Sequence, residues 1–254
     1  MINWERLQYM YERKAYRIVQ RHIKKILTAI PLNNVSLNTY KILIASNITE
    51  EKIKDMFVEI YTTIGNDYGK RVKREIDKEG KQKNILFSES FLQDILLFLS
   101  TDGGSKITSV QGTLVEDIIK AIQEKLKGGE SLVTLQNVIY ELARQSGTFY
   151  KWQALRIART ETTSASNFAS YREASKAPYK MTKVWIAAND NRTRHDHKIE
   201  NGQIVDFEEP FVMADGSLLM YPGDTTAKAS QVINCRCTLG YKAKRDKNGM
   251  IIFK

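Results

Sequence analysis

Both cysteines of the chain, Cys235 and Cys237, flank one arginine in "VINCRC" (232–237), and two histidines, His195 and His197, precede them in "RTRHDH" (192–197). Thiolate and imidazole are the soft and borderline ligands that zinc selects. If each pair lies on an extended strand, the i,i+2 spacing puts its two side chains on one face, and the pairs can converge on a metal. H-x-H and C-x-C nevertheless match neither knuckle of a zinc ribbon. The reading preferred on spacing alone makes Cys235 a buried small apolar residue, Cys237 an ordinary thiol and the histidines hydrogen-bonding loop residues. A thiol triad can also be drawn from Cys235 or Cys237, His195 or His197, and Asp190, Asp196 or Glu161. Nothing in the flanks places a cysteine at a helix N-terminus, where a thiolate is activated. A disulfide across i,i+2 on a strand would strain, so reduced thiols and a cytoplasmic origin are expected.

The elements that must position these groups are legible in the hydrophobic pattern. Apolar spacing predicts a helix over 4–30 ended by Pro31, and a second from the N-cap Thr49 to Asp77, closed by Gly80. A third covers about 89–100, and "TDGGS" (101–105) reads as a linker. Helices at about 109–127 and 131–144 follow, separated by Gly128 and Gly129, and "QSG" (145–147) leads into a long helix that Pro178 terminates. On that helix Ala154, Ala158, Thr162, Ala165 and Ala169 form a stripe of small side chains, which calls for close packing. Beyond Pro178 the short runs "KVWIAA" (183–188), "NGQIVDF" (201–207), "ADGSLLMYPG" (214–223) and "RDKNGMIIF" (245–253) alternate with turn dipeptides. The expected class is α+β: a mostly helical N-terminal region (1–102), then a domain with a long helix packed on a small antiparallel sheet (103–240), then a basic C-terminal hairpin or tail (241–254).

With 254 residues, 42% apolar and 27% charged, the chain can bury a sizeable core. No apolar run approaches the roughly 20 residues a bilayer crossing needs, and no signal peptide is visible, so a soluble protein without membrane contact is expected. The formal charge of +10 points to a polyanionic partner. It arrives in bursts: Arg13, Lys14, Arg17, Arg21, Lys24 and Lys25, then Lys70, Arg71, Lys73 and Arg74, then Lys242, Lys244 and Arg245. Double-stranded DNA bound without sequence preference is the natural candidate, because no base-reading motif is visible.

Five separated motifs carry a more specific signal: "ARTETTSASNFASY" (158–171), "VWIAANDNRTRHDH" (184–197), "NGQIV" (201–205), "EPF" with "YPGD" (209–211 and 221–224), and "INCRC" (233–237). In this order they resemble the phage Mu protein F-like, or SPP1 gene-product-7-like, head morphogenesis family over roughly 110–240. The resemblance implies a minor capsid protein of a tailed phage or prophage. It implies association with the portal protein, with major capsid or scaffolding protein, and with DNA packaging or ejection. The implied location is the virion, at the head interior or portal vertex, with the host cytoplasm as the place of assembly. Matched motif by motif, it covers Arg159, Thr160, Glu161, Asp190, Arg192, Thr193, Arg194, His197, Gly202, Pro222, Gly223, Asn234, Cys235, Arg236 and Cys237. It also implies a zinc version of the site in some relatives, with cysteines where Arg194 and His197 stand and a histidine shortly before the C-R-C. Here arginine and valine occupy two of those places.

On their own chemistry, Arg159, Glu161, Asp190, Arg192, Arg194 and Arg236 suggest an ion-pair network that clamps the 190–197 loop and the C-R-C strand onto the long helix. The expected function is non-enzymatic, without a cofactor unless zinc is held by His195, His197, Cys235 and Cys237. A metal-dependent hydrolase or nuclease, or an injected effector, using those four residues is the alternative.

Overall fold

Asn3 starts the first helix by accepting the Arg6 amide on its side chain, and α1 (Trp4–Thr28) ends shortly before Pro31. The computed structural model describes residues 3–31, 39–80, 90–127 and 148–254. Helix α1 buries Tyr11, Ala15, Val19 and Ile23 and leaves its cations in solvent. Next comes α2 (Tyr40–Asn47), whose two turns are too few to show a 3.6-residue period in the sequence. Thr49 accepts the Lys52 amide and caps α3 (Glu50–Ile60).

The single helix expected from Thr49 to Asp77 is in fact α3, a π-helical turn (Tyr61–Gly65) and α4 (Asn66–Glu79), closed by Gly80. Helix α5 (Ser90–Ser100) and helix α6 (Gly104–Lys127) follow. Because α6 already begins at Gly104, only the first part of "TDGGS" is a turn. The helix expected at 131–144 and the breaks expected at 128–129 and 145–147 lie outside the described residues.

Helix α7 (Thr148–Ser175) is the element on which α1, α4, the π-helical turn and the sheet all pack. Its small-residue stripe explains why. A side chain at Gly65 would come within 3.1 Å of the Ala165 carbonyl, and one at Gly69 within 3.4 Å of the Ala169 side chain. Glycine facing alanine lets the helices approach more closely than larger residues allow.

After α7 come β1 (Met181–Ile186), α8 (His195–Ile199), β2 (Ile204–Asp206), β3 (Phe211–Val212), β4 (Leu218–Leu219), α9 (Ala229–Val232) and β5 (Thr238–Ala243). An antiparallel sheet in the order β2-β1-β5 sets Thr182 opposite both Asp206 and Lys242, while β3 and β4 form a two-residue hairpin ladder. The expected terminal hairpin is reduced to the bridges Arg245–Ile251 and Tyr179–Phe253. The hydrophobic core runs from Trp4 to Ala243 without a break at residue 102, where the chain merely turns between α5 and α6.

Along β1, Met181, Lys183 and Trp185 alternate into this core. The fully buried Lys183 amine donates 2.9 Å to the Met220 carbonyl and sits 5.2 to 5.9 Å from the rings of Tyr171, Phe211 and Phe207. Burial pulls its pKa down to about 8 against the opposing charges of Asp224, Glu208 and Glu209. The unfolded chain protonates this amine up to about pH 10.4, the folded chain only to about 8. Stability contributed by this site therefore rises as pH climbs through that window. Thermal melts of the wild type and Lys183→Met from pH 7.5 to 10 should show the wild type gaining on the variant; parallel curves would mean the amine titrates normally.

Candidate functional site

Helix α7 buries an unusual number of polar side chains: Thr160, Glu161, Thr162, Thr163, Ser164, Ser166, Asn167 and Ser170. Buried hydroxyls and amides need partners. Several find them in the segment between α9 and β5. The Asn234 amide donates 3.0 Å to Thr160 Oγ1, Thr163 Oγ1 donates to the Cys235 carbonyl, and Asn167 Nδ2 donates 3.0 Å to the Cys237 carbonyl. From α1, Trp4 Nε1 donates 2.8 Å to the intervening carbonyl of Arg236. Three consecutive carbonyls are thus taken by side chains of α7 and α1, so 235–237, which lies outside any strand, is seated by helix side chains. Asn167 Oδ1 also accepts from Thr238 Oγ1 at 3.1 Å, and Ser164 Oγ donates 2.9 Å to the Gly223 carbonyl.

This seating brings the sulfurs to His197. His197 Nδ1 lies 3.4 Å from Cys237 Sγ and 3.6 Å from Cys235 Sγ, and all three residues are buried. On the other side of the ring, Nε2 is 2.8 Å from Gln231 Oε1, while Gln231 Nε2 donates 2.9 Å to Asp196 Oδ2. The carboxylate orients the amide so that its oxygen faces the ring. Nε2 then carries the proton, and the Nδ1 lone pair points at the sulfurs. The Cys237 thiol is held low by a hydrogen bond from the Cys235 thiol, whereas that same S–H···S hydrogen bond and burial push Cys235 up. A void of about 10 Å³ beside them, bordered by Arg192, Arg194 and Arg236, has roughly the volume of one water.

His195 is not part of this cluster; it is exposed at the start of α8. The strand reading put His195 and His197 on one face, but on a helix an i,i+2 pair diverges by about 200°. Cys235 and Cys237 likewise precede β5 rather than lying in it. Gln231, Thr163, Asn167 and Trp4 went unmarked in the sequence. The available signal was the run "TETTSASN" (160–167), where hydroxyls and an amide share a helix that the alanine stripe declares buried.

The six charged residues divide into three places. Arg236 makes a two-pronged pair with Asp190, with one bond of 2.6 Å, and Asp190 also accepts from the Arg192 amide and Thr193 Oγ1, each at 3.0 Å. Burial opposes ionisation of Asp190, but the bonds from Arg236 and Thr193 hold its carboxyl below the usual range. Arg194 donates to the Ile233 carbonyl. Arg159 reaches back to α1, 3.5 Å from Glu12, whose pKa burial raises despite Arg159, Arg236 and Arg192. Glu161 turns the other way, accepting from Tyr61 at 3.2 Å and pairing with Lys106 at 3.5 Å. Of the basic bursts, Arg21 pairs with Glu59, Arg71 with Asp67, Lys73 with Asp77 and Lys244 with Asp206.

Asn167→Ala strands the Cys237 carbonyl and takes from the Thr238 hydroxyl one of its two partners, leaving it Tyr68, at a cost of about 2 to 3 kcal/mol. Arg236→Ala breaks a pair whose carboxylate is a third exposed, costing about 1 kcal/mol. Thermal melts should therefore show the larger drop for Asn167→Ala, roughly 4 to 10 °C; the reverse order would make the ion pair the principal clamp.

Comparison with known families matches residues 110–240, just over half of the chain, to the family described as Phage Mu protein F like protein. The chain is 32% identical over 131 residues to the Minor head protein GP7 of Bacillus phage SPP1, covering 50% of this chain and 41% of that protein. It is 34% identical over 132 residues to the NAD(+)--arginine ADP-ribosyltransferase EFV of Enterococcus faecalis (strain ATCC 700802 / V583), covering 49% of this chain and 25% of that protein. The alignments thus span between a quarter and about two-fifths of these relatives. No solved structure matches the chain. The second relative overturns the expectation of a non-enzymatic protein, since a protein named as a transferase shares this region. The family match runs from within α6 to the middle of β5, and holds the His–Cys cluster and its polar helix face: the chain belongs to the Phage Mu protein F like family.

Proposed function

We propose that the chain acts in phage head morphogenesis as a minor head protein. The observation that carries this reading is the family match over 110–240 together with the likeness of the same region to a protein named as a minor head protein. On this reading its partners are the portal protein, or major capsid or scaffolding protein, and double-stranded DNA bound without sequence preference. It assembles in the host cytoplasm and resides in the virion, at the head interior or portal vertex.

The His197, Cys235 and Cys237 cluster fits a structural zinc. Their ligand atoms lie within 4.8 Å of one another. The 3.4 and 3.6 Å nitrogen–sulfur separations match the roughly 3.6 Å that tetrahedral zinc bonds of about 2.0 and 2.3 Å require. The Gln231–Asp196 relay supplies the outer hydrogen bond that a ligating histidine normally has. A zinc held there would fasten α8 to the C-R-C segment.

Co-expression of the chain with the portal protein of its phage, followed by purification at moderate and high salt and metal analysis, tests both statements. The expected product is a salt-resistant complex with one zinc per chain, the zinc being lost in His197→Ala. A folded, metal-free protein that ignores portal and capsid proteins would overturn the reading. Arginine-linked ADP-ribose appearing on added NAD(+) would favour the activity named for the second relative.

A further inference from the structure

Resting on the proposed DNA contact, we infer that DNA is gripped by a basic track on α1 that continues across a groove onto α4. Arg6, Arg13, Arg17 and Lys24 follow at intervals of seven, four and seven residues, so they fall on one line along the helix. Lys14, Arg21 and Lys25, at intervals of seven and four, form a second line about 100° round. All seven are exposed. The two acids of α1, Glu5 and Glu12, lie off this face, and Glu12 is turned to Arg159. Among the described residues, the ion pair formed by these seven cations is that of Arg21 with Glu59.

The track does not stop at the start of α1. Arg6 shares a groove of about 470 Å³ with Arg71, Arg74 and Lys78 of α4, walled by Asn3, Leu7 and Met10 and holding one acid, Glu75. Tyr11 and Trp4 pack on Tyr68 and hold the two helices in this relation. The structure thereby revises the set drawn from the sequence. Arg6 joins it, as does Lys78, which meets Glu75 at 3.2 Å but is well exposed, and Lys73 leaves it, because its amine is bonded to Asp77 and little exposed.

Charge complementarity selects the occupant. From Arg6 to Lys25 the track runs roughly 28 Å at 1.5 Å per residue, close to the length of eight base pairs at about 3.4 Å each. The spacing within each line, about 6 to 10 Å, suits phosphates along a backbone rather than a compact anion. No base-reading side chain is required, so affinity comes from counterion release.

The test uses the full chain and a random-sequence duplex in gel shifts from 50 to 300 mM salt. One triple variant removes track charges (Arg13→Gln, Arg17→Gln, Lys24→Gln). The other removes the same charge elsewhere (Lys198→Gln, Lys242→Gln, Lys247→Gln). Melts of both should match the wild type, since all six side chains are exposed. The track triple should weaken binding at least tenfold at 0.1 M salt and flatten the salt slope by about 0.9 for each phosphate that is no longer neutralised. The control triple should stay within about threefold of the wild type. Equal weakening by both triples, or by neither, overturns the track and leaves DNA contact standing. A wild-type chain that shifts no duplex even at 50 mM salt removes both, without touching the family assignment.

Discussion

Three peptide carbonyls in a row, from Cys235 to Cys237, are held by side chains of other helices, and the rest of the site depends on that constraint. A segment without a neighbouring strand would leave these acceptors buried and unpaired, at about 1 to 3 kcal/mol each. Thr163, Trp4 and Asn167 meet them instead. Once the segment lies along α7, both thiols face His197, and the Gln231–Asp196 relay fixes which ring nitrogen they meet. Arg236 is left at the edge, where it reaches Asp190 and ties down the 190–197 loop.

The same constraint joins the two ends of the chain. Trp4, in the first turn of α1, bonds to Arg236 across 232 residues. Glu12 meets Arg159, and Tyr68 of α4 bonds to Thr238 at the start of β5. The N-terminal helices therefore complete the site region as well as preceding it. Glycine against alanine brings α4 and the π-helical turn close to α7. That closeness buries the polar side chains of α7, and Thr160, Thr163, Ser164 and Asn167 meet the need this creates by bonding to the segments packed on the helix.

Much of this was legible in the sequence where a periodic pattern was long. Helices α1, α3–α4 and α7 follow from apolar spacing and from the caps at Thr49 and Gly80, and the α+β class follows from the change of pattern after Pro178. The alanine stripe announced that α7 is buried. It did not announce that the hydroxyls beside the stripe are buried too, since small polar residues read equally well as a solvated face. The short helix α8 was missed because five residues carry no period, and that error placed His195 beside His197. Charge spacing did not reveal which partner each arginine takes. Arg159 and Glu161, two residues apart on a helix, point to different neighbours, and those neighbours come from α1 and α6.

The most direct test of this account is native-state hydrogen exchange of residues 233–237 compared with the middle of α7. If helix side chains seat the segment, the Asn234 amide bonded to Thr160 should exchange as slowly as the amides of 160–167 and be released with them in one cooperative opening. Fast, loop-like exchange at 233–237 beneath a still-protected α7 would contradict it, because the segment would then open without disturbing the helix said to hold it.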